Sequence, residues 1–143
     1  MSARLGLHSA YSLLYGTRSP ADICRRAASY GASAIAITDR DNLYGLHTII
    51  EAAHDAGLKP IIGAELSAGC GPGSVGRVFA FVRDRAGFCR LCEVLSAASA
   101  AREAGGTAGF DLVRALRDDA VGLVLASESP AVIGALAGHV PAL

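Results

Sequence analysis

A six-residue run, ASAIAI at positions 32–37, lies between two segments with helical spacing, and no other feature narrows the fold as much. A strand this continuously apolar, broken only by Ser33, needs cover on both faces. A parallel sheet flanked by helices supplies that cover, whereas a half-exposed hairpin does not. Upstream, SPADICRRAASYG carries the marks of a helix. Ser19 suits the N-cap, Pro20 the first helical position and Asp22 the capping box; Ile23, Ala27 and Ala28 share one face, and Gly31 ends it. Downstream, from about Asn42, Leu46, Ile49, Ile50 and Ala53 form an apolar stripe that stops at Gly57. Arg4 to His8 precedes these elements as a strand, and LKPIIGAEL follows as a third, its first residues tolerating Pro60. Residues 1–66 therefore predict β-α-β-α-β with right-handed crossovers.

The second half, 77–143, continues the alternation. Arg77 to Val82 reads as a strand and GFCRLCEVLSAASAAR as a helix with Phe88, Leu91, Cys92 and Leu95 inward. FDLVRALRD is a short helix capped at Asp111, and VGLVLAS is the fifth strand. SPAVIGALAGHV repeats the Ser-Pro start with Ser129 and Pro130. Ala68 to Gly76, AGCGPGSVG, and the later EAGGTAG are too rich in Gly for regular structure and read as loops. With 143 residues, 52% of them hydrophobic, one core and a single α/β domain of about five mostly parallel strands are expected.

Thirteen Lys and Arg balance thirteen Asp and Glu, so the chain lacks the basic field that holds a nucleic-acid backbone, and autonomous nucleic-acid binding is not expected. The opening MSARLGLHSAYSLL has no secretory signal pattern, and no apolar run approaches the ~20 residues of a membrane span; a cytoplasmic protein without a membrane partner is expected. Of Cys24, Cys70, Cys89 and Cys92 only the last two form a tight pair, with no second pair to complete a zinc site. They read as apolar thiols on a helix face, with a redox pair after the VFAFV strand as the alternative.

Strand ends on one rim of a parallel sheet collect binding groups. Here the first strand delivers His8, the second Asp39 and Arg40, and the third Glu65. Imidazole plus carboxylate is the composition of a metal site able to make a hydroxide nucleophile for phosphoester hydrolysis. Asp41 and Asn42 read as caps of the second helix. Tyr11 and Tyr44 read as covers of the barrel end, with base stacking as the alternative. His47 and His54 lie two turns apart on that helix, too far to share a ligand; His139 has no evident partner. AGCGPGSVG lacks the spacing of a phosphate-binding P-loop.

LHSAYSLLYGT, ASAIAITDRDNLYG and AGLKPIIGAEL, in this order, resemble the opening motifs of the PHP (polymerase and histidinol phosphatase) domain, in the version at the N-terminus of the bacterial DNA polymerase III alpha subunit. GFCRLCEVLSAA is similar to a later helix of that family. The resemblance implies a distorted seven-stranded β/α barrel whose rim binds a metal cluster through His, Asp and Glu. In active members the cluster hydrolyses phosphoesters, and in some polymerases it supports exonuclease proofreading. Carried over by position, the first motif's leading His is Gly6 and only His8 remains; the next carboxylate position is Tyr15; the Thr-Asp-His motif ends in Arg40; Glu65 is kept. A guanidinium stays protonated and repels a cation.

The resemblance thus implies a partial barrel with a degenerate metal site. His8 and Glu65 are vestigial ligands, Tyr15, Asp39, Arg40 and Asp41 line the rim pocket, and no residue is catalytic. No resident cofactor is expected; Mn, Zn or Mg at the partial site is the alternative. Arg40 either replaces the metal's charge beside Glu65 or is a solvated loop residue. The implied function is a structural role in DNA replication or repair within a DNA polymerase III alpha-like subunit, of the error-prone kind or not, with no polymerase activity on this chain. The partner would be the polymerase body or another replication subunit. An exposed sheet edge would be covered by a helix or by a second copy of the chain. Two other readings stay open: a small metal-dependent phosphoesterase built on His8 and Glu65, and a stand-alone interaction module.

Overall fold

The computed structural model describes residues 2–67, 76–103 and 110–137, grouped in two compact units, Met1–Glu65 and Leu66–Leu143. The first unit opens with β1 (Ala3–Leu7), α1 (Pro20–Ser29), β2 (Ala34–Ile37), α2 (Leu46–Asp55) and β3 (Lys59–Pro60), and β4 (Gly63–Ser67) runs across its end. Strands β1, β2 and β3 make a parallel sheet in that order, with Ala3 and Arg4 beside Ala34 and Ile35, which in turn face Lys59 and Pro60. The expectation of a buried central strand is met by β2, where Ile35 and Ala36 are fully buried. One face packs on α1 and α2 through Cys24, Ala27, Ile49, Ala53 and Leu58. Helix α1 starts as its Ser-Pro signature requires: the Ser19 hydroxyl accepts from Asp22 N at 3.2 Å and Pro20 stands at the first helical position. A cap of this kind stabilises by about 1 kcal/mol.

Two local expectations need correction. LKPIIGAEL is two short strands. Pro60 brings no N–H to the ladder, and Ile61 N makes the last bond to β2, at Ile35 O (2.8 Å), before the chain leaves the sheet. Helix α2 begins at Leu46, with Gly45 at the N-cap and no side-chain cap. Neither Asp41 nor Asn42 caps it. Asp41 is in the left-handed region (φ +55°). The Asn42 amide donates to Tyr11 O (3.1 Å) and Arg40 O (2.8 Å), and its oxygen accepts from Tyr44 N (3.1 Å). The polar residues after β2 therefore shape a loop and bind it to the segment after β1.

The second unit contains β5 (Arg77–Val82), α3 (Arg85–Glu103), α4 (Leu112–Asp118), β6 (Leu123–Ser127) and α5 (Pro130–Leu136). Here β5 and β6 pair antiparallel, Val78 opposite Ser127 and Val82 opposite Leu123, so the mostly parallel arrangement ends with the first unit. The reason is parity. One helix between two strands returns the chain to the starting edge and makes them parallel; two helices leave it at the opposite edge. Leu91, Val94, Leu95, Leu112, Leu116, Val132 and Leu136 supply the buried apolar contacts, while Phe88 and Cys92 are only half-buried. Asp111 and Ser129 cap α4 and α5 through Arg114 N (2.9 Å) and Val132 N (3.5 Å). The expected loop at Ala68 to Gly76 (all but Gly76, and including Cys70), residues 104–109 of EAGGTAG and His139 lie outside the described residues. Among the described residues no helix is long and apolar enough to cross a membrane.

Candidate functional site

The C-terminal ends of β1 and β2 and the middle of β4 meet at one place in the first unit. Past the end of β2 the chain is rejoined by a single parallel bridge between Arg40 and Glu65. Asp41 N donates to Glu65 O (2.8 Å), and Glu65 N donates to Asp39 O (3.2 Å). Two backbone bonds thus fix Glu65 beside the loop that carries Asp39, Arg40 and Asp41. On the other side, Thr38 N donates to Leu7 O (2.7 Å) and brings His8 alongside.

The side chains complete the cluster. Glu65 is 1% exposed, and its Oε2 accepts from His8 Nε2 at 3.0 Å. The contact turns His8 Nε2 toward the carboxylate, so that ring nitrogen faces Glu65 in this arrangement. The other oxygen, Oε1, lies 3.8 Å from Arg40 Nε, and Arg40 Nε is 4.0 Å from Asp41 Oδ2. The Arg40 guanidinium sits 4.6 Å above the Tyr15 ring, and that ring lies 6.4 Å from the His8 ring. Arg40 is therefore a member of the cluster, its side chain 23% exposed.

Asp39 is 3% exposed and its carboxylate accepts three hydrogen bonds. Oδ1 accepts from Ser9 N (2.7 Å) and Ser12 Oγ (2.6 Å), and Oδ2 from Ser9 Oγ (2.6 Å). The Ser12 hydroxyl oxygen also accepts from Arg40 N at 3.0 Å. Ser9 and Ser12 are the residues that sequence reasoning missed. Their signal was two small hydroxyls spaced along the loop after β1, ambiguous by itself because Ser is ordinary in loops. The same loop positions Tyr15: Ser12 O accepts from Tyr15 N (3.0 Å) and Gly16 N (2.9 Å), and a Cβ on Gly16 would collide with Ser9 O.

The remaining candidates fall outside the cluster. His47 is exposed and pairs with Glu51 at 3.2 Å, one turn along α2; His54 is exposed as well. Tyr44 is 85% exposed. Cys89 is exposed in the second turn of α3, and burial, then Cys89 and Glu93, raise the Cys92 thiol above its ordinary value.

The chain belongs to the PHP domain family, whose model matches residues 5–143. It is 49% identical over 67 residues to the error-prone DNA polymerase of Cutibacterium acnes, covering 47% of this chain and 6% of that protein. The error-prone DNA polymerase of Mycobacterium tuberculosis is 36% identical over 117 residues, 76% of this chain and 10% of that protein. The DNA polymerase III subunit alpha of Escherichia coli is 44% identical over 66 residues, 46% of this chain and 6% of that protein. The matched stretch spans a tenth or less of each of these relatives. Among solved structures, a protein described as a metal-dependent phosphoesterase from Bifidobacterium adolescentis superposes with a TM-score of 0.57 at 26% identity, over 73% of this chain and 35% of that one. An amidohydrolase from Chromobacterium violaceum shares the fold, with a TM-score of 0.56 at 23% identity over 82% of this chain and 50% of that one.

The positions at which the family implies metal ligands are engaged by other protein groups in this arrangement. A cation needs several converging donors with free lone pairs. Here His8 and Glu65 face each other, Asp39 accepts three hydrogen bonds from Ser9 and Ser12, and a permanent cation approaches Glu65. Among the described residues no group of three His, Cys, Asp or Glu side chains is placed to hold a metal, and no buried polar side-chain atom lacks a partner.

Proposed function

We propose that this chain is the PHP domain of a DNA polymerase III alpha-like protein, of the error-prone kind, in which the metal site has degenerated and the domain serves as a structural element. The carrying observation is the engagement of buried Glu65 by His8 at 3.0 Å and Arg40 at 3.8 Å: protein groups occupy the side that a cation would need. Gly6 supports it. The position where the family places a histidine is in the left-handed region (φ +72°), at an irregularity in the β1–β2 register, so backbone and side chain have both departed from a ligand-bearing strand.

In this reading residues 1–143 form a single domain, a partial β/α barrel of the PHP type. His8 and Glu65 are vestigial ligands, and Tyr15, Asp39, Arg40 and Asp41 are a rim cluster that holds the β1 and β2 loops together. The chain acts in the cytoplasm in DNA replication or repair, packed on the polymerase body or on another replication subunit. Among the described residues β1 has one strand neighbour in its sheet, β2, and its open edge is where that packing or a second copy would add.

The likeness to a metal-dependent phosphoesterase supports a competing reading, an enzyme built on His8 and Glu65. A phosphodiesterase assay with bis(p-nitrophenyl) phosphate and Mn, Zn or Mg separates the two. The proposal expects no turnover above buffer; turnover abolished by Glu65→Ala establishes the enzyme and overturns it.

A further inference from the structure

A cavity of about 300 Å³ is lined by residues of β1, α1 and the segments after and before them, and His8 is the one rim-cluster residue in its lining. Its floor is apolar, made by Leu7, Ile23 and Ala27 with the Tyr30 ring. Its other walls are His8 and three arginines from three segments: Arg4 of β1, Arg18 ahead of α1 and Arg26 of α1. No carboxylate lines it. The three guanidinium groups are exposed, and together they give the mouth of the cavity a positive potential that attracts anions.

The neighbouring charges leave the cavity cationic. Helix α1 contains one acid, Asp22, and that carboxylate accepts from Ser19 Oγ (2.8 Å) and pairs with Arg25. The Ser19 hydroxyl, then Arg25, and by charge alone Arg18, hold Asp22 below the usual carboxylate range, so the Asp22 carboxylate offsets part of the Arg18 charge. Arg26 stacks its guanidinium 5.8 Å above the Tyr30 ring, with Nη2 3.4 Å from the Tyr30 hydroxyl. No ion pair joins Arg4 or Arg18 to a carboxylate among the described residues.

From this geometry we propose that the cavity binds an amphipathic organic anion: one oxyanion head held by the Arg4, Arg18 and Arg26 forks, and a ring-sized apolar body on Leu7, Ile23 and Ala27. Planar guanidinium forks match phosphate and carboxylate oxygens two at a time. The volume is at the small end of ligand pockets and suits a body of one ring. A free inorganic anion would leave the floor wet, and a neutral ring would leave three cations uncompensated.

Calorimetric titration of the full chain tests the proposal. The probes are phenyl phosphate and phenylacetate, with inorganic phosphate and acetate as controls lacking the apolar body. The expected result is saturable binding of at least one probe, ~10-fold or more tighter than its control and weakened ~10-fold in an Arg18→Gln/Arg26→Gln variant. Arg4→Gln, on the strand opposite, weakens it independently, and the retained unfolding transition of each variant shows that the fold is intact. The probe that binds identifies the head group. Absence of saturation by both probes at ~10 mM, binding indifferent to all three arginines, or binding lost with Arg40→Gln instead overturns the proposal.

Discussion

Replacing Arg40 by Met in a double-mutant cycle with Glu65→Gln measures whether the guanidinium carries the charge compensation assigned to it. At the 3.8 Å separation of Arg40 Nε and Glu65 Oε1, the attraction is about 4 kcal/mol at an effective dielectric of about 20. Arg40 keeps 23% of its side chain exposed and is beyond hydrogen-bond length, so solvent and its own desolvation reduce the net to ~1–2 kcal/mol. Met retains the aliphatic stem but loses the stacking on Tyr15, which costs a further ~0.5–1 kcal/mol whatever residue 65 is, and this cancels in the cycle. Urea unfolding should therefore show Arg40→Met destabilising by ~2–3 kcal/mol alone and by ~1 kcal/mol or less in the Glu65→Gln background, a coupling of ~1–2 kcal/mol. A coupling indistinguishable from zero, with both single variants folded, would refute the claim that Arg40 neutralises Glu65.

Three further outcomes follow from the same geometry. Asp39→Ala should cost ~3 kcal/mol or more in chemical denaturation, since it leaves Ser9 N and two hydroxyl donors buried without acceptors; a loss under ~1 kcal/mol would contradict that account. Gly6→His, the substitution toward the family pattern, should destabilise by ~1–2 kcal/mol because of the positive φ and should not create metal affinity; a stabilised, metal-binding variant would overturn the reading of β1. Alkylation mapped by peptide should find Cys89 modified ahead of Cys92 and Cys24, whose thiols burial pushes up. The raised pKa values leave those two mostly protonated around neutral pH, so their modification should climb only as pH rises through the alkaline range; early labelling of Cys24 in the folded chain would contradict its burial.

Much of this was legible in short-range patterns. ASAIAI required a strand covered on both faces, and β2 is one; Ser19-Pro20, Asp111 and Ser129-Pro130 start helices where their chemistry places them. What escaped was non-local. The break in LKPIIGAEL depends on where β2 stops accepting partners. The antiparallel pairing of β5 and β6 depends on counting both intervening helices as crossover, although both were readable. Asp41 and Asn42 have the composition of caps, yet Asn42 reaches back 31 positions to Tyr11, a contact that no window along the chain reveals. At the rim, His8, Asp39, Arg40 and Glu65 could be assigned to one edge from strand ends, but Ser9 and Ser12 could not be told from ordinary loop serines. The arginine-lined cavity was invisible for a similar reason: Arg4, Arg18 and Arg26 belong to three segments and share no motif.

The central claim, that protein groups have replaced the family's metal at the rim, is most directly tested by the metal stoichiometry of the chain after equilibrium dialysis against Mn and Zn. The account predicts less than ~0.1 equivalent bound, unchanged by Glu65→Ala. One or more equivalents bound per chain and lost with Glu65→Ala would contradict it.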